Sequence, residues 1–206
     1  MCARDSHFGF VVDSRYPIIF LGKGDGTMDR IMGVLTLKAP VYKQIAEDEN
    51  ATTTATIIVV VMAIFAGVFS AVILGLFGSS LPPEQAAQMG TPLGTAIRTI
   101  INAIIGWLIG SWVIAFVAKT FFGGKTNFGE MLRVFGYTQI FQVFAIVPCL
   151  GSLVALILSL IGAVIGIREA SEFSTGKAVM TGIVAFVILL IVGMFVGAVL
   201  GLVGLA

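Results

Sequence analysis

The residues able to do chemistry are few, and their spacing does not assemble them. A single histidine, His7, and two cysteines, Cys2 and Cys149, make neither a metal cluster of nitrogen and sulfur ligands nor a disulfide framework. The long apolar segments hold no serine and histidine pair, no paired aspartates and no metal-ligand spacing. Catalysis needs positioned groups, so an intramembrane enzyme is excluded and no cofactor is implied. Gly22-x-Gly24-x-Gly26 imitates a nucleotide loop but lacks the third glycine position and the strand and helix that would surround it. Gly124-Lys125-Thr126 reproduces the end of a phosphate loop, yet Lys119 stands where the first glycine belongs. With Phe121, Phe122 and Phe128 beside it, this stretch reads as an interfacial aromatic and basic turn.

Two sets of polar residues remain. Asn102, Gln139 and Gln142 lie inside apolar segments, where an unpaired amide is costly. No ionisable group accompanies them, so hydrogen bonds between helices are preferred to a substrate site. The second set is charged: Lys119, Lys125, Arg133, Arg168, Glu169, Glu172 and Lys177 flank the apolar segments. Such charges most often solvate loop ends. The sharper reading makes Arg133, Arg168, Glu169, Glu172 and Lys177 a partner-binding patch, with Arg168 and Glu169 setting partner choice through charge complementarity.

The elements that must position these groups are set by composition. A mean hydropathy of +1.06, with 58% hydrophobic and 11% charged residues, does not describe a soluble domain, where about 25% charged is usual. The chain is an integral membrane protein whose first partner is the lipid bilayer. A net charge of +1 excludes a nucleic-acid partner, which needs a basic face.

In chain order, residues 1–27 mix charge, proline and glycine and read either as a disordered tail or as a non-native extension preceding a true start at Met28. Residues 29–50 form two short amphipathic helices separated by Pro40, with Ile31, Val34 and Leu35 on one apolar face and Val41, Tyr42 and Ile45 on the other. Lying in the headgroup region or packing on the bundle fits them equally. Apolar spans follow at about 55–77, 97–118, 131–147, 150–167 and 178–204, the fold class being all-α, a polytopic bundle of five transmembrane helices. Asn127 and Glu130 make a capping box that opens the third span. Small residues recur every fourth position: Ala63, Gly67, Ala71 and Gly75 in the first span, Asn102, Gly106 and Gly110 in the second, Gly162 and Gly166 in the fourth, Gly193, Gly197 and Gly201 in the last. Each row lets another backbone approach closely, and the terminal row leaves a homodimer open. Trp107 and Trp112, mid-span, are expected to pack inside rather than to form an interfacial belt.

Charge orients the bundle. With the N-terminus inside, the inner segments collect Arg30, Lys38, Lys43, Lys119, Lys125, Arg133, Arg168 and Lys177, while the outer ones hold only Arg98. Short loops rich in Lys and Arg stay cytoplasmic, which predicts N-inside and C-outside over five spans. A re-entrant hairpin over Met131–Ile167, with Pro148 at its apex, satisfies the same rule.

Three stretches carry a family resemblance: Met28-Asp29-Arg30-Ile31-Met32-Gly33-Val34-Leu35 with Lys38-Ala39-Pro40; Arg133-Val134-Phe135-Gly136-Tyr137; and Ile167-Arg168-Glu169-Ala170 with Thr175-Gly176-Lys177-Ala178-Val179. The chain from about residue 28 onward resembles the prokaryotic branch of the Yip family, whose eukaryotic members bind Ypt and Rab GTPases. The resemblance implies a five-span protein of a prokaryotic inner membrane with a cytoplasmic N-terminus. The eukaryotic Asp-Leu-Tyr-Gly-Pro signature is absent, so GTPase binding is not carried over. A membrane scaffold holding an unidentified membrane or cytoplasmic protein is the favoured function. A transporter or channel component is the alternative, although the spans offer no buried ionisable relay.

Overall fold

Thr91 starts one long helix by accepting the Gly94 amide on its hydroxyl, and Gly123, at φ 69°, ends it in the left-handed turn that glycine adopts without strain. Similar local signals divide the rest of the chain. The computed structural model describes residues 26–80, 82, 84, 85, 89–147 and 150–202, with 196–202 as helix backbone only. Cys2, His7 and all but the last two residues of the expected 1–27 extension lie outside the described residues, as do Pro148, Cys149 and the surroundings of Gly197 and Gly201.

The helices are α1 (Gly26–Leu35), α2 (Ala39–Glu47), α3 (Ala51–Phe77), α4 (Pro92–Phe122), α5 (Phe128–Thr138), α6 (Leu150–Ser171) and α7 (Thr175–Leu202), with a 3₁₀ segment, Gln139–Ile146, continuing α5. Four stretches are long and apolar enough to cross a membrane: Ala51–Ser80, Pro92–Phe122, Leu150–Ser171 and Thr175–Phe195. The bundle is all-helical among the described residues, and its long helices present rows of exposed aliphatic side chains such as Ile57, Val61, Ile64 and Val68 on α3. In a membrane these meet lipid.

The expected third span, 131–147, is not one α-helix. The α geometry stops at Thr138, whose hydroxyl donates to the Phe135 carbonyl, and eight residues of 3₁₀ helix follow. The 3₁₀ segment packs along α6, where Phe141 is fully buried over Gly162: a Cβ on Gly162 would lie 2.8 Å from the Phe141 ring. At its start, α5 has the expected capping box, with the Glu130 amide donating to Asn127 Oδ1 at 2.9 Å and the Asn127 amide to Glu130 Oε2 at 3.2 Å.

The core gathers where α2, α5, the start of α3 and the end of α6 meet, around Tyr42, Ile45, Met131, Val134, Tyr137 and Ile167. Tyr42 and Ile45 are fully buried, so α2 packs on the bundle. Burial raises the Tyr42 phenol well above its ordinary value, and its hydroxyl donates to the Val34 carbonyl at 3.3 Å, tying α2 to α1. Close approach explains the small residues here. A Cβ on Gly136 would stand 2.7 Å from that of Ala55, and one on Gly166 would run into Val134. On α3 the buried row is Ala51, Ala55, Val59, Ala63 and Gly67, with Gly67 against Ile100 and the Ala96 carbonyl of α4. Gly75 meets nothing within 4 Å among the described residues.

Candidate functional site

The N-termini of α3, α5 and α7 and the C-termini of α2, α4 and α6 meet at one end of the bundle, and most of the charge collects there. Lys125, in the turn between α4 and α5, bonds Glu172 at 2.9 Å, and its amide donates to the Ser171 carbonyl at 3.5 Å, so this turn is docked on the end of α6. The hydrogen bond from Lys125, its charge and then that of Lys43 hold the Glu172 carboxyl below the usual carboxylate range. Next to this pair lies a depression of about 100 Å³ lined by Lys43, Glu47, Lys125, Glu130, Glu169 and Glu172. Four carboxylates to two ammonium groups make it net acidic.

The structure separates the five residues expected to form a partner-binding patch. Glu169 and Glu172 line the depression. Arg168 bonds Glu169 through Nε at 2.9 Å and Nη2 at 2.7 Å, and reaches the Thr175 hydroxyl at 3.5 Å. Lys177 sits 5.7 Å from the centre of the Phe173 ring, which meets Phe122 edge-on at 6.4 Å. Arg133 is 7% exposed and belongs to the interior. Its Nε donates to the Ala46 carbonyl at 3.1 Å, Nη2 bonds the same oxygen, and Nη1 reaches the Thr52 hydroxyl at 3.3 Å. One guanidinium thus occupies a free carbonyl at the end of α2 while holding α3 and α5 to it, as a planar fork of donors can. Lys43, Glu47 and Glu130 were missed as members of the site. Their signal was the apolar face of α2, which places Lys43 and Glu47 beside α6 once that face is buried.

A second tie closes the same end. Arg30 Nη2 lies 2.6 Å from Asp48 Oδ2, and the Asn50 amide donates to Asp48 Oδ1 at 3.0 Å. The Arg30 hydrogen bond first, and the Asn50 amide next, hold the Asp48 carboxyl below its ordinary value.

Glu172 has φ 55° and ends α6 where a glycine would be relaxed, with the Phe173 amide donating back to the Arg168 carbonyl at 2.9 Å. A left-handed non-glycine residue costs on the order of 1 kcal/mol or more.

Within the apolar part of the bundle, Asn102 and Gln139 line a cleft with Ser111, but among the described residues neither they nor Gln142 make the interhelical side-chain hydrogen bonds expected of them. Trp107 packs inside, 7% exposed, and its indole donates to the Leu132 carbonyl at 3.0 Å. Trp112 does not: 57% exposed, it stacks on Phe116 along the outer surface of α4. Among the described residues no group of His, Cys, Asp and Glu could hold a metal.

The Yip1 domain matches residues 32–197, most of the chain. The chain belongs to the Yip1 domain family. No curated protein and no solved structure matches it. The matched range takes in all but the first turns of α1, the charged end and the four long apolar helices, so the Yip1 domain here is the bundle itself.

Proposed function

We propose that this Yip1-domain protein is a membrane scaffold that holds a protein partner against its charged end, through the acidic depression between α2, the α4–α5 turn and α6. The observation that carries the reading is Glu172. A residue kept in a strained backbone conformation, with a salt bridge too exposed to repay it, is better explained by what its carboxylate recognises than by stability. Excess carboxylate selects a partner segment bearing Lys or Arg.

In this reading the charged end faces the cytoplasm of a prokaryote and the last helix ends outside. The Lys and Arg count supports that orientation. Five crossings also have support: eleven α residues and eight 3₁₀ residues add up to about 32 Å, close to a bilayer's ~30 Å of hydrocarbon. Gly193 of α7 meets nothing within 4 Å among the described residues, which leaves that row for a second copy.

The test is a charge reversal, Glu47→Lys with Glu172→Lys, in protein purified from native membranes. Melting should be nearly unchanged while a basic partner brought down by the parent is lost. Retention of that partner removes the depression from the site. If reconstituted parent vesicles pass a solute or ion that empty vesicles hold back, the scaffold reading fails.

A further inference from the structure

Two cavities lie among α4, α5, α6 and α7 and meet at Ile114 and Phe135, which line both. The larger, an open groove of about 620 Å³, is lined by aliphatic side chains including Leu156, Leu160 and Ile183, each about half exposed, and Leu189. The smaller, about 270 Å³, is lined by Asn102, Gly106, Trp107, Gly110, Ser111 and Gln139.

Ser111 is 1% exposed, and among the described residues its hydroxyl has no hydrogen-bond partner. A Cβ on Gly106 or Gly110 would meet nothing within 4 Å among the described residues, so the glycines widen the cleft and no neighbour occupies the space. Ser111 lies near the middle of the 31-residue α4, at a depth where lipid tails offer no hydrogen bond to a hydroxyl or an amide. Among the described residues no Asp, Glu, Lys, Arg or His lines either cavity, so a charged headgroup drawn inside would be desolvated with no counter-charge.

We propose that the two adjoining clefts together bind an uncharged amphiphile from the bilayer, its chain in the large groove and a hydroxyl or carbonyl head against Ser111, Asn102 and Gln139. A head hydroxyl accepts from either amide or from Ser111 and donates to an amide oxygen; a head carbonyl accepts from the same donors. The glycines admit the head, and the aliphatic wall takes the chain.

Trp107 and Trp112 are the only two tryptophans, and only Trp107 lines the cleft. Trp112→Phe therefore leaves one reporter. In phosphatidylcholine nanodiscs, diacylglycerol brominated on the chain carbons nearest the glycerol should quench Trp107 saturably, whereas phosphatidylglycerol with the same brominated chains should quench weakly and in proportion to its amount. Gly110→Leu should fill the cleft and remove the saturable part. Ser111→Ala should raise the diacylglycerol needed for half-quenching about fivefold, the loss of one net hydrogen bond. Equal quenching by the two lipids, of either form, overturns the proposal without any cleft variant having to fold. So does saturable quenching by diacylglycerol that survives both Gly110→Leu and Ser111→Ala.

Discussion

A Cβ added to Gly67, Gly136, Gly162 or Gly166 would fall within 3 Å of a neighbouring side chain, whereas Gly75, Gly106, Gly110 and Gly193 meet nothing within 4 Å among the described residues. The same residue type, at the same four-residue spacing, closes one part of the bundle and leaves another open. Two ties reinforce the closed part: Arg133 bridges the end of α2 to Thr52 of α3, and Arg30 pairs with Asp48. On α3 burial is confined to the part nearer the charged end. Along α3 the buried residues run from Ala51 to Gly67, and none is found from there to the end of the helix. A spacing of four shows that a face is smooth; it does not say whether anything lies on it.

Replacing Gly166 by Leu should break the closed part most severely, because the branched side chain has to displace Val134; a loss of about 3 kcal/mol is expected in detergent melting. Gly110→Leu should stay within about 0.5 kcal/mol of the parent, as changes into open space do. Equal effects of the two would erase the contrast. Arg133→Met should cost about 2 kcal/mol by leaving the Ala46 carbonyl without its charged donor, and Arg133→Lys should recover part of it. Proteolysis between α2 and α3 should rise in the Met variant. In the other direction, Glu172→Gly should raise stability by roughly 1 kcal/mol by relaxing the left-handed residue, while weakening any basic partner's hold.

Acid should act on the closed end. The folded Asp48 carboxyl titrates below its unfolded value, so the stability it contributes is present above the unfolded value of about pH 3.9 and disappears as pH falls through the folded one. The melting gap between parent and Asp48→Asn should therefore be seen at neutral pH and close below about pH 4. A gap independent of pH would mean that the carboxylate's charge is not what holds α2 to α1.

Sequence patterns carried much of this. The four long apolar helices, the Asn127–Glu130 capping box and the resemblance in Arg133-Val134-Phe135-Gly136-Tyr137 were legible because each depends on residues close together in the chain. What was not legible depends on distant neighbours. Arg133 reads as a charge flanking a span, and only its partner 87 residues earlier makes it an interior clamp. From Tyr137 to Val147 there is no glycine or proline to announce the change to 3₁₀ geometry; Phe141 over Gly162 is a contact between elements. Trp112 and Trp107 are five residues apart on one apolar helix, and the position of α5 alone decides which is covered. Lys43 and Glu47 entered the acidic depression only once α2 was seated against α6.

The Arg133 clamp also sets an order of assembly. Ala46 and Thr52 are made early in synthesis, and the side chain that joins them emerges only after α3 and α4 have been translated. Until then α2 has no guanidinium to occupy the Ala46 carbonyl, and Tyr42 has no α6 glycines to lie against. Helices α1 and α2, made before α3 to α6, are thus seated only after them, and a chain stalled before α5 would present an unfinished charged end to the insertion and quality-control machinery.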